Sequence, residues 1–576
     1  MKILSLHCDY LKFKPLKKAI KNPQELSEEQ KKEVEVKEPL GIFVAVEKGD
    51  EGSVEKTIEE LVKNVLDLLS KTGAKKVVLY PYAHLSSDLS SPDVALKVLE
   101  GAENELKKKK IEVFRAPFGY YKEFELKCKG HPLAELSRSV GQVERKIEIS
   151  TKIPKDVKMD SKQLLKQISK SKLDTSKLKE NDHRILSQKL DLFSFNEVAP
   201  GMVFWHNNGL IIFNELIKFW RDIHRRAGYQ EISTPQILDK RLWLLSGHWD
   251  KYKENIFLTE YEDKQFAVKP MNCPGGMLVY KSSPKSYKDL PLRMGELGIV
   301  HRQELSGVLA GLFRVIKFTQ DDAHIFCTED QLESEIAGIM NLINEVYSKF
   351  GFEYSVELST RPEKRIGDEK LWDKAEDILE SVLKKKKMKY KINKGDGAFY
   401  GPKIDFHIKD SLGRTWQCAT IQLDFAMPER FELEYNDKNN QFKRPVMLHR
   451  VIFGSIERFI GVLLEHLNGS LPTWLSPVQC RVISFTDRNE KAAEKILQKL
   501  KDEGIRVDAD FSSSTVNEKV RNSELMKVPY LVTIGDKEEE KGTLAVKKRG
   551  EKEKPKFGVK LEDFIKEIKN QIEKRE

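Results

Sequence analysis

The run MGELGIVHRQELSGVLAGLFRVIKFTQDDAHIF, from Met294 to Phe326, brings together side chains that could hold a purine nucleotide. Read as a strand, a Gly-containing loop and a returning strand, it sets Arg302 and Glu304 on one face of the first strand, because strand side chains alternate with period two. The second strand brings back Arg314, Phe318, Gln320 and Asp322. Arginine binds phosphate, a glutamate accepts from an exocyclic amine, and a phenylalanine covers a base face. GlySerIleGluArg at 454–458 opens an apolar helix (Phe459 to Leu464) and places Arg458 at a helix start, a second anion position. ArgArgAlaGlyTyr at 225–229 leads into a strand that Pro235 ends or confines to an edge. Taken singly each piece has a structural reading, since a strand Arg is commonly a surface ion pair and Phe318 commonly core.

The scaffold that must position these groups is large. A chain of 576 residues, at roughly 100–200 per domain, predicts three to five domains. Hydrophobic residues make up 39%, which excludes a disordered chain. No window approaches 18 consecutive apolar residues, so no spanning helix and no membrane role is expected. The opening MKILSLHCDYLKFK lacks the apolar length and cleavage site of a signal peptide. Cys8, Cys128, Cys273, Cys327, Cys418 and Cys480 stand singly with no CxxC, which argues for a reduced, cytoplasmic protein rather than a disulfide scaffold or zinc ribbon. The net charge of +10 suits a nucleic-acid partner without establishing one.

Texture divides the chain into four. Residues 1–140 alternate short apolar strands with helices at 55–72 and 92–109, the first carrying Ile58, Leu61, Val62, Val65 and Leu68 at helical spacing. This is a self-sufficient α/β domain. Residues 141–200 are Lys-rich and read as a helical or partly flexible connector, with a solvated charged linker the favoured form. Residues 201–470, opened by an amphipathic helix from Leu210 to His224, carry the nucleotide-site candidates. Residues 473–576 alternate strand and helix as a small α/β domain with a mixed sheet.

In this order the three central segments match the signature motifs of class II aminoacyl-tRNA synthetases. MNCPGG (271–276), FTQDDAHIFC (318–327), GAFYGPKIDF (397–406), WQCATIQLDF (416–425) and HRVIFGSIERF (449–459) extend the match, and residues 200–576 resemble the threonyl-tRNA synthetase family. NPQELSEE, YPYAHLSS, APFGYYK and CKGHPLAELSR resemble the editing domain of that family's archaeal form, itself similar to D-aminoacyl-tRNA deacylases. The resemblance implies an α/β and α+β multidomain protein: an antiparallel six- or seven-stranded catalytic sheet, a deacylase-like editing domain and an α/β anticodon-binding domain. It implies ATP-dependent activation of L-threonine and transfer to tRNA(Thr), by a homodimer whose interface is built by the first motif. Arg302 would hold the α-phosphate, Glu304 the adenine amine and Phe318 the adenine face, with Arg314 and Arg458 on the outer phosphates and Mg²⁺ as counter-ion. Gln320, Tyr400, Lys403, Gln417 and Ser455 would line the substrate pocket. His248, in SerGlyHisTrp, matches a family histidine near the terminal ribose, and a structural hydrogen-bonding role fits it equally.

Cys273, His324 and His449 are 51 and 125 residues apart, a spacing that carries no metal signal by itself. The resemblance makes them ligands of one Zn²⁺ per subunit. Physical need agrees: a pocket without a dedicated partner separates threonine from valine by only about 10², whereas chelation of amino and hydroxyl groups together rejects valine. Asp322 would accept the hydroxyl proton. Serine keeps both groups and differs by one methyl, worth about 1–3 kcal/mol, so seryl-tRNA must be hydrolysed afterwards. The resemblance assigns that editing to Lys18, His84, Tyr121, Lys122 and Glu135, and anticodon contacts to Arg521, Lys527, Glu538 and Lys547. Lys527 and Lys547 stand where the bacterial pattern has arginines, and lysine makes no bidentate base contact. A non-catalytic tRNA-binding or regulatory relative, or a free-standing hydrolase, would be expected to lose Arg302, Arg458 or a zinc ligand, and all are present. A prolyl or seryl enzyme would not call for the Cys273, His324 and His449 set.

Overall fold

The computed structural model describes residues 1–20, 23, 25–86, 88–131, 133–139, 165, 178–249, 253–551 and 554–576. The chain forms two compact units, Met1–Lys155 and Asp156–Glu576.

The first unit is organised by one long strand. Lys2–Lys18 pairs with Pro39–Ala45 and Glu135–Ser139 along its first half and with Val34–Lys37 and Tyr120–Cys128 along its second. Lys76–Pro81 and Glu112–Arg115 continue the sheet in parallel beyond Pro39–Ala45, giving seven strands. The helix Val54–Thr72 buries Leu61, Val62, Val65 and Leu68 and stops at Gly73, whose left-handed backbone closes its last turn. With the helix Pro92–Lys108 it covers Leu40, Ile42, Val44, Val77 and Leu79. A second core of Leu11, Phe13, Phe43, Val78 and Tyr80 involves alternate residues of the same strands. Two strands escape the sequence reading, VEVK at 34–37 and ELSRS at 135–139, both short and polar.

The connector expected over 141–200 lies outside the described residues up to 177, apart from residue 165. From 178 onward the segment is helical but docked rather than solvated. The helix His183–Leu190 and the segment after it bury Leu186, Leu190, Leu192 and Phe193 in the main core of the second unit. Asp182 caps the helix by accepting from the Arg184 N–H.

That core is covered by a sheet of eight strands rather than six or seven. Leu292–His301, Lys317–Cys327, Val446–Val451, Thr415–Asp424, Lys403–Lys409 and Glu353–Ser359 pair antiparallel in that spatial order, and the short Gln230–Glu231 and Tyr390–Asn393 add one parallel strand at each edge. Asn207–Arg226, Leu332–Lys349, Glu369–Lys385 and Ile456–His466 pack apolar stripes against the sheet. The last part holds a mixed five-stranded sheet, with Val507–Asp510, Cys480–Ser484 and Tyr530–Ile534 parallel and Leu544–Lys548 and Lys556–Val559 antiparallel. It is fastened to the rest of the unit by Arg506 on Glu215 and Arg575 on Asp222. Among the described residues no helix is long and apolar enough to cross a membrane.

Leu61 is fully buried while Lys63, two residues on, faces solvent. Leu61→Ala is expected to lower unfolding stability by about 2–5 kcal/mol and Lys63→Ala to change it by less than about 0.5 kcal/mol, measured by denaturant titration of the full chain.

Candidate nucleotide and metal site

A cleft of about 570 Å³ opens on the eight-stranded sheet, a size suited to a small ligand. Arg302, Glu304, Arg314, Phe318, Gln320, Asp322, Tyr400, Lys403, Gln417, Ser455 and Arg458 all line it, together with Cys273, His324 and His449. Phe318, Gln320, Asp322 and His324 arrive as alternate residues of the strand Lys317–Cys327. Two placements differ from the sequence reading: the strand before them ends at His301, so Arg302 and Glu304 lie in the loop just beyond it, and the returning strand starts at Lys317, so Arg314 lies at the end of the turn ahead of it. There Glu304 pairs with Arg314 at 3.0 Å, and the Arg302 guanidinium covers the Phe318 ring at 5.2 Å. Ser455 caps the helix Ile456–His466 by accepting from the Arg458 N–H, and the Arg458 side chain donates to the Phe313 carbonyl at 2.9 Å. A bulge in the pairing of Lys403–Lys409 with Thr415–Asp424 shifts the register between Phe406 and His407. It puts Gln417 on the same side as Thr420 and Gln422, where strict alternation would have buried it.

The opposite face of the strand Lys317–Cys327 is pinned by acids that sequence reasoning missed. Asp321, fully buried, accepts from the backbone N–H groups of Ile452, Phe453 and Gly454. Glu457 accepts twice from the Thr319 N–H. Burial pushes the Asp321 carboxyl up to about 6 and that of Glu457 up to about 7. Asp405 gathers Lys403, Gln417, Thr420 and Ser359 around one carboxylate, and Tyr400 donates to Gln422. Their signal was available in part, since acids at odd positions of a strand whose even positions face a site need partners behind it.

Cys273, His324 and His449 present one sulfur and two ring nitrogens within 4.8 Å of one another, all buried. Both nitrogens of His324 lack any hydrogen-bond partner, an arrangement that buried imidazoles rarely keep. His449 directs Nε2 at the Asp424 carboxylate, 2.7 Å away, and Asp424 also takes the N–H groups of Ala426 and Met427. A carboxylate behind a histidine fixes the ring with its other nitrogen forward, as in metal centres. Burial drives the Cys273 thiol far up and the His324 imidazole far down, so a cation is what would favour the thiolate here. The donor set therefore fits a zinc ion with a position left for substrate. His248 does not line the cleft. It is fully buried, its Nδ1 at 2.8 Å from the Ser246 hydroxyl and its Nε2 at 3.9 Å from the Cys273 sulfur, and burial lowers its pKa to about 3. This placement favours the structural role.

Comparison with known proteins gives three matches in order along the chain. The archaea-specific editing domain of threonyl-tRNA synthetase matches residues 1–140, the tRNA synthetase class II core domain (G, H, P, S and T) residues 257–467, and an anticodon binding domain residues 479–571. The threonine–tRNA ligase of Carboxydothermus hydrogenoformans is 55% identical over 394 residues, 68% of this chain and 62% of that protein. That of Caldanaerobacter subterraneus subsp. tengcongensis is 54% identical over 394 residues, 68% of this chain and 61% of its own. The solved RNA binding domain of threonyl-tRNA synthetase from Cryptosporidium parvum superposes with a TM-score of 0.66 at 40% identity, covering 68% of this chain and 98% of that one. The chain belongs to the threonyl-tRNA synthetase family. It spans 61–62% of the length of the two ligases.

Within this family member the five editing candidates do not form one contact set. Lys122 donates from Nζ to the carbonyls of Pro117 and Tyr120 and lies 5.1 Å from the Tyr80 ring. Tyr80 stacks edge-on with Tyr82, which meets His84 in turn. Tyr121 is exposed beside Lys17, and Lys18 pairs in register with Tyr120. Glu135 sits opposite Leu6 and beside Cys128, six residues along the strand from Lys122, or about 20 Å of extended chain. Of the anticodon candidates, Arg521 is exposed, Lys547 pairs with Glu524 at 2.7 Å, and Glu538 takes the Gly535 N–H at the start of its own helix. Lys527 lies where the last part meets the main body, lining a small cavity with Leu471 and Gly469.

Burial lowers the Lys122 amine to about 8, since its partners are two carbonyls and a ring and none is anionic. Its acylation by acetic anhydride, followed by mass spectrometry, is expected to rise with a midpoint near pH 8 instead of the ~10.4 of exposed lysines. The unfolded chain binds the extra proton between these values, so Lys122 makes stability rise with pH across that window.

Proposed function

We propose that this chain is a threonine–tRNA ligase that activates L-threonine with ATP, transfers it to tRNA(Thr), and hydrolyses seryl-tRNA(Thr) through its first unit. The observation that carries the reading is the convergence of Arg302, Arg314, Arg458, Phe318 and the Cys273, His324 and His449 donors on one cleft. A non-catalytic relative has no need of that convergence.

In the first step a threonine carboxylate oxygen attacks the α-phosphorus of ATP, the bond to the β-phosphate breaks, and pyrophosphate leaves with its Mg²⁺. Arg302 is placed to take the α-phosphate and Phe318 the adenine, while Arg314 and Arg458 carry the charge that develops on the outer phosphates. Glu304 is placed for the adenine amine, and its ion pair with Arg314 must open or turn to admit the nucleotide. In the second step a terminal ribose hydroxyl attacks the acyl carbon and AMP departs. The chemistry that a zinc ion supplies when held by Cys273, His324 and His449 is joint chelation of an amino and a hydroxyl group, which valine cannot offer. Asp322, buried beside His324 and held by Asn272, is placed to receive the hydroxyl hydrogen bond. Tyr400 and Gln417 fix the walls, and positioning rather than covalent catalysis does most of the work.

Serine passes that test. The first unit, with Lys122 and its aromatic neighbours, is the place to exclude the threonine methyl and hydrolyse the seryl ester. A homodimer, a cytoplasmic setting and anticodon recognition by the last domain belong to the same proposal.

Cys273→Ser is expected to lose bound zinc, read by metal analysis, and with it threonine-dependent ATP–pyrophosphate exchange. Full exchange in a metal-free protein would overturn the assignment. Lys122→Ala is expected to slow deacylation of seryl-tRNA(Thr) by about 10²-fold, the scale of one positioned acid–base or charged group, and to leave threonylation intact. Unchanged deacylation would remove Lys122 from the editing site.

A further inference from the structure

His183 opens a helix late in the segment that reads as linker in the sequence, yet it is fully buried and every polar atom of its ring is used. Nε2 accepts the Leu312 N–H at 2.9 Å, and Nδ1 lies 2.6 Å from Glu465. An N–H donor fixes Nε2 as the unprotonated nitrogen, so the ring carries its proton on Nδ1 and donates it to Glu465. Glu465 is held in turn by Arg414 and by the His183 backbone N–H. The ring also packs on Phe313, with centroids 4.3 Å apart, and Phe313 packs on Trp416 at 4.2 Å.

The short turn Gly311–Phe313 that receives these contacts leads directly into Arg314. Gly311 has a φ of +54° there, and a Cβ on it would come within 2.2 Å of His183 Nε2. Only glycine fits both the backbone and the approach. From the cleft side Arg458 holds the next carbonyl, that of Phe313. The turn is thus gripped from behind by His183 and from the front by Arg458. Asp182, His183 and Glu465 are close enough to suggest a cation site, but both ring nitrogens are committed and Arg184 and Arg414 already occupy the carboxylates.

We propose that His183 is a positioning residue for nucleotide binding: through the Leu312 N–H it fixes the turn that carries Phe313 and Arg314 into the cleft. The inference rests on the reading of that cleft as the ATP site. It assigns to a residue remote from the phosphates a share of ATP affinity and none of threonine affinity, since the metal-site strand is tied down separately by Asp321 and Glu457.

Two substitutions separate this role from general packing. His183→Asn keeps a donor near the Nδ1 position for Glu465 but offers nothing to Leu312, whereas His183→Gln extends an oxygen toward the Nε2 position and can accept from Leu312. In ATP–pyrophosphate exchange the asparagine variant is expected to raise KM for ATP about ten-fold, the scale of one lost buried hydrogen bond. The glutamine variant is expected to stay within about three-fold, and KM for threonine within about two-fold in both. Amide hydrogen exchange over residues 308–316 reads the same contact without activity, and the Leu312 amide is expected to lose protection in His183→Asn and keep it in His183→Gln. Equal KM for ATP and equal Leu312 protection in the two variants would overturn the inference, as would a rise in both KM values that tracks thermal midpoint alone. Absence of exchange in the unsubstituted chain would instead overturn the proposed function, and the amide measurement would still decide for or against the His183 contact.

Discussion

The pairing of His324 with His449, in register across the strands Lys317–Cys327 and Val446–Val451, is the constraint on which the cleft depends. Gln422 faces His449 from the other side, so three neighbouring strands are locked to one alignment. A slip of a single residue would send every side chain of a strand to the opposite face. His324 would then point into the core with Ile325's present neighbours, and Phe318, Gln320 and Asp322 would leave the cleft together. The candidate metal donors and the candidate nucleotide groups are therefore one structural decision, taken when the central strands align.

What holds that alignment is a set of buried carboxylates satisfied by backbone N–H groups. Asp321 and Glu457 tie the strand Lys317–Cys327 to the turn and helix that carry Ser455 and Arg458. Asp424 holds the His449 ring and takes the N–H groups of Ala426 and Met427. A buried charge without partners costs several kcal/mol, so each acid is stabilising only in the geometry where its N–H donors converge. These residues do not line the cleft, yet they specify the arrangement more sharply than apolar packing would, because a misaligned strand leaves both a carboxylate and one to three N–H groups unpaired.

The legible part of the sequence was its periodicity. The alternation at 318, 320, 322 and 324, the helix stripe from Leu61 to Leu68, and the strand and helix order after residue 473 all have local causes, and the structure places them as read. Long-range causes left no such trace. The strand expected to carry Arg302 and Glu304 stops at His301, where the chain turns toward Asn255 and Pro270, which no local pattern announces. Gln417 faces the cleft through a bulge, and a bulge is invisible to counting by twos. The Lys-rich texture that suggests a connector continues past residue 178, where a few apolar residues, Leu186, Leu190, Leu192 and Phe193, suffice to dock the segment. Cys273, His324 and His449 could be joined only by resemblance, since 176 residues separate the first from the last.

On the proposed reading, the two units answer two different physical questions. The cleft asks whether an amino acid carries a hydroxyl, and leaving the buried Asp322 acceptor unpaired rejects valine strongly. It cannot ask with equal force whether a methyl is missing, because a smaller side chain still fits a larger pocket and forfeits only about 1–3 kcal/mol. A site that excludes by size poses the complementary question, since the cognate group is the one that fails to enter. The two tests call for opposite pocket shapes, so no single pocket can satisfy both. Each unit accordingly buries its own apolar core, around Leu40 and Val77 in one and around Ile421 and Leu463 in the other. Each pocket can then be shaped by its own core, and the errors passed by the first are multiplied by the small fraction that escapes the second.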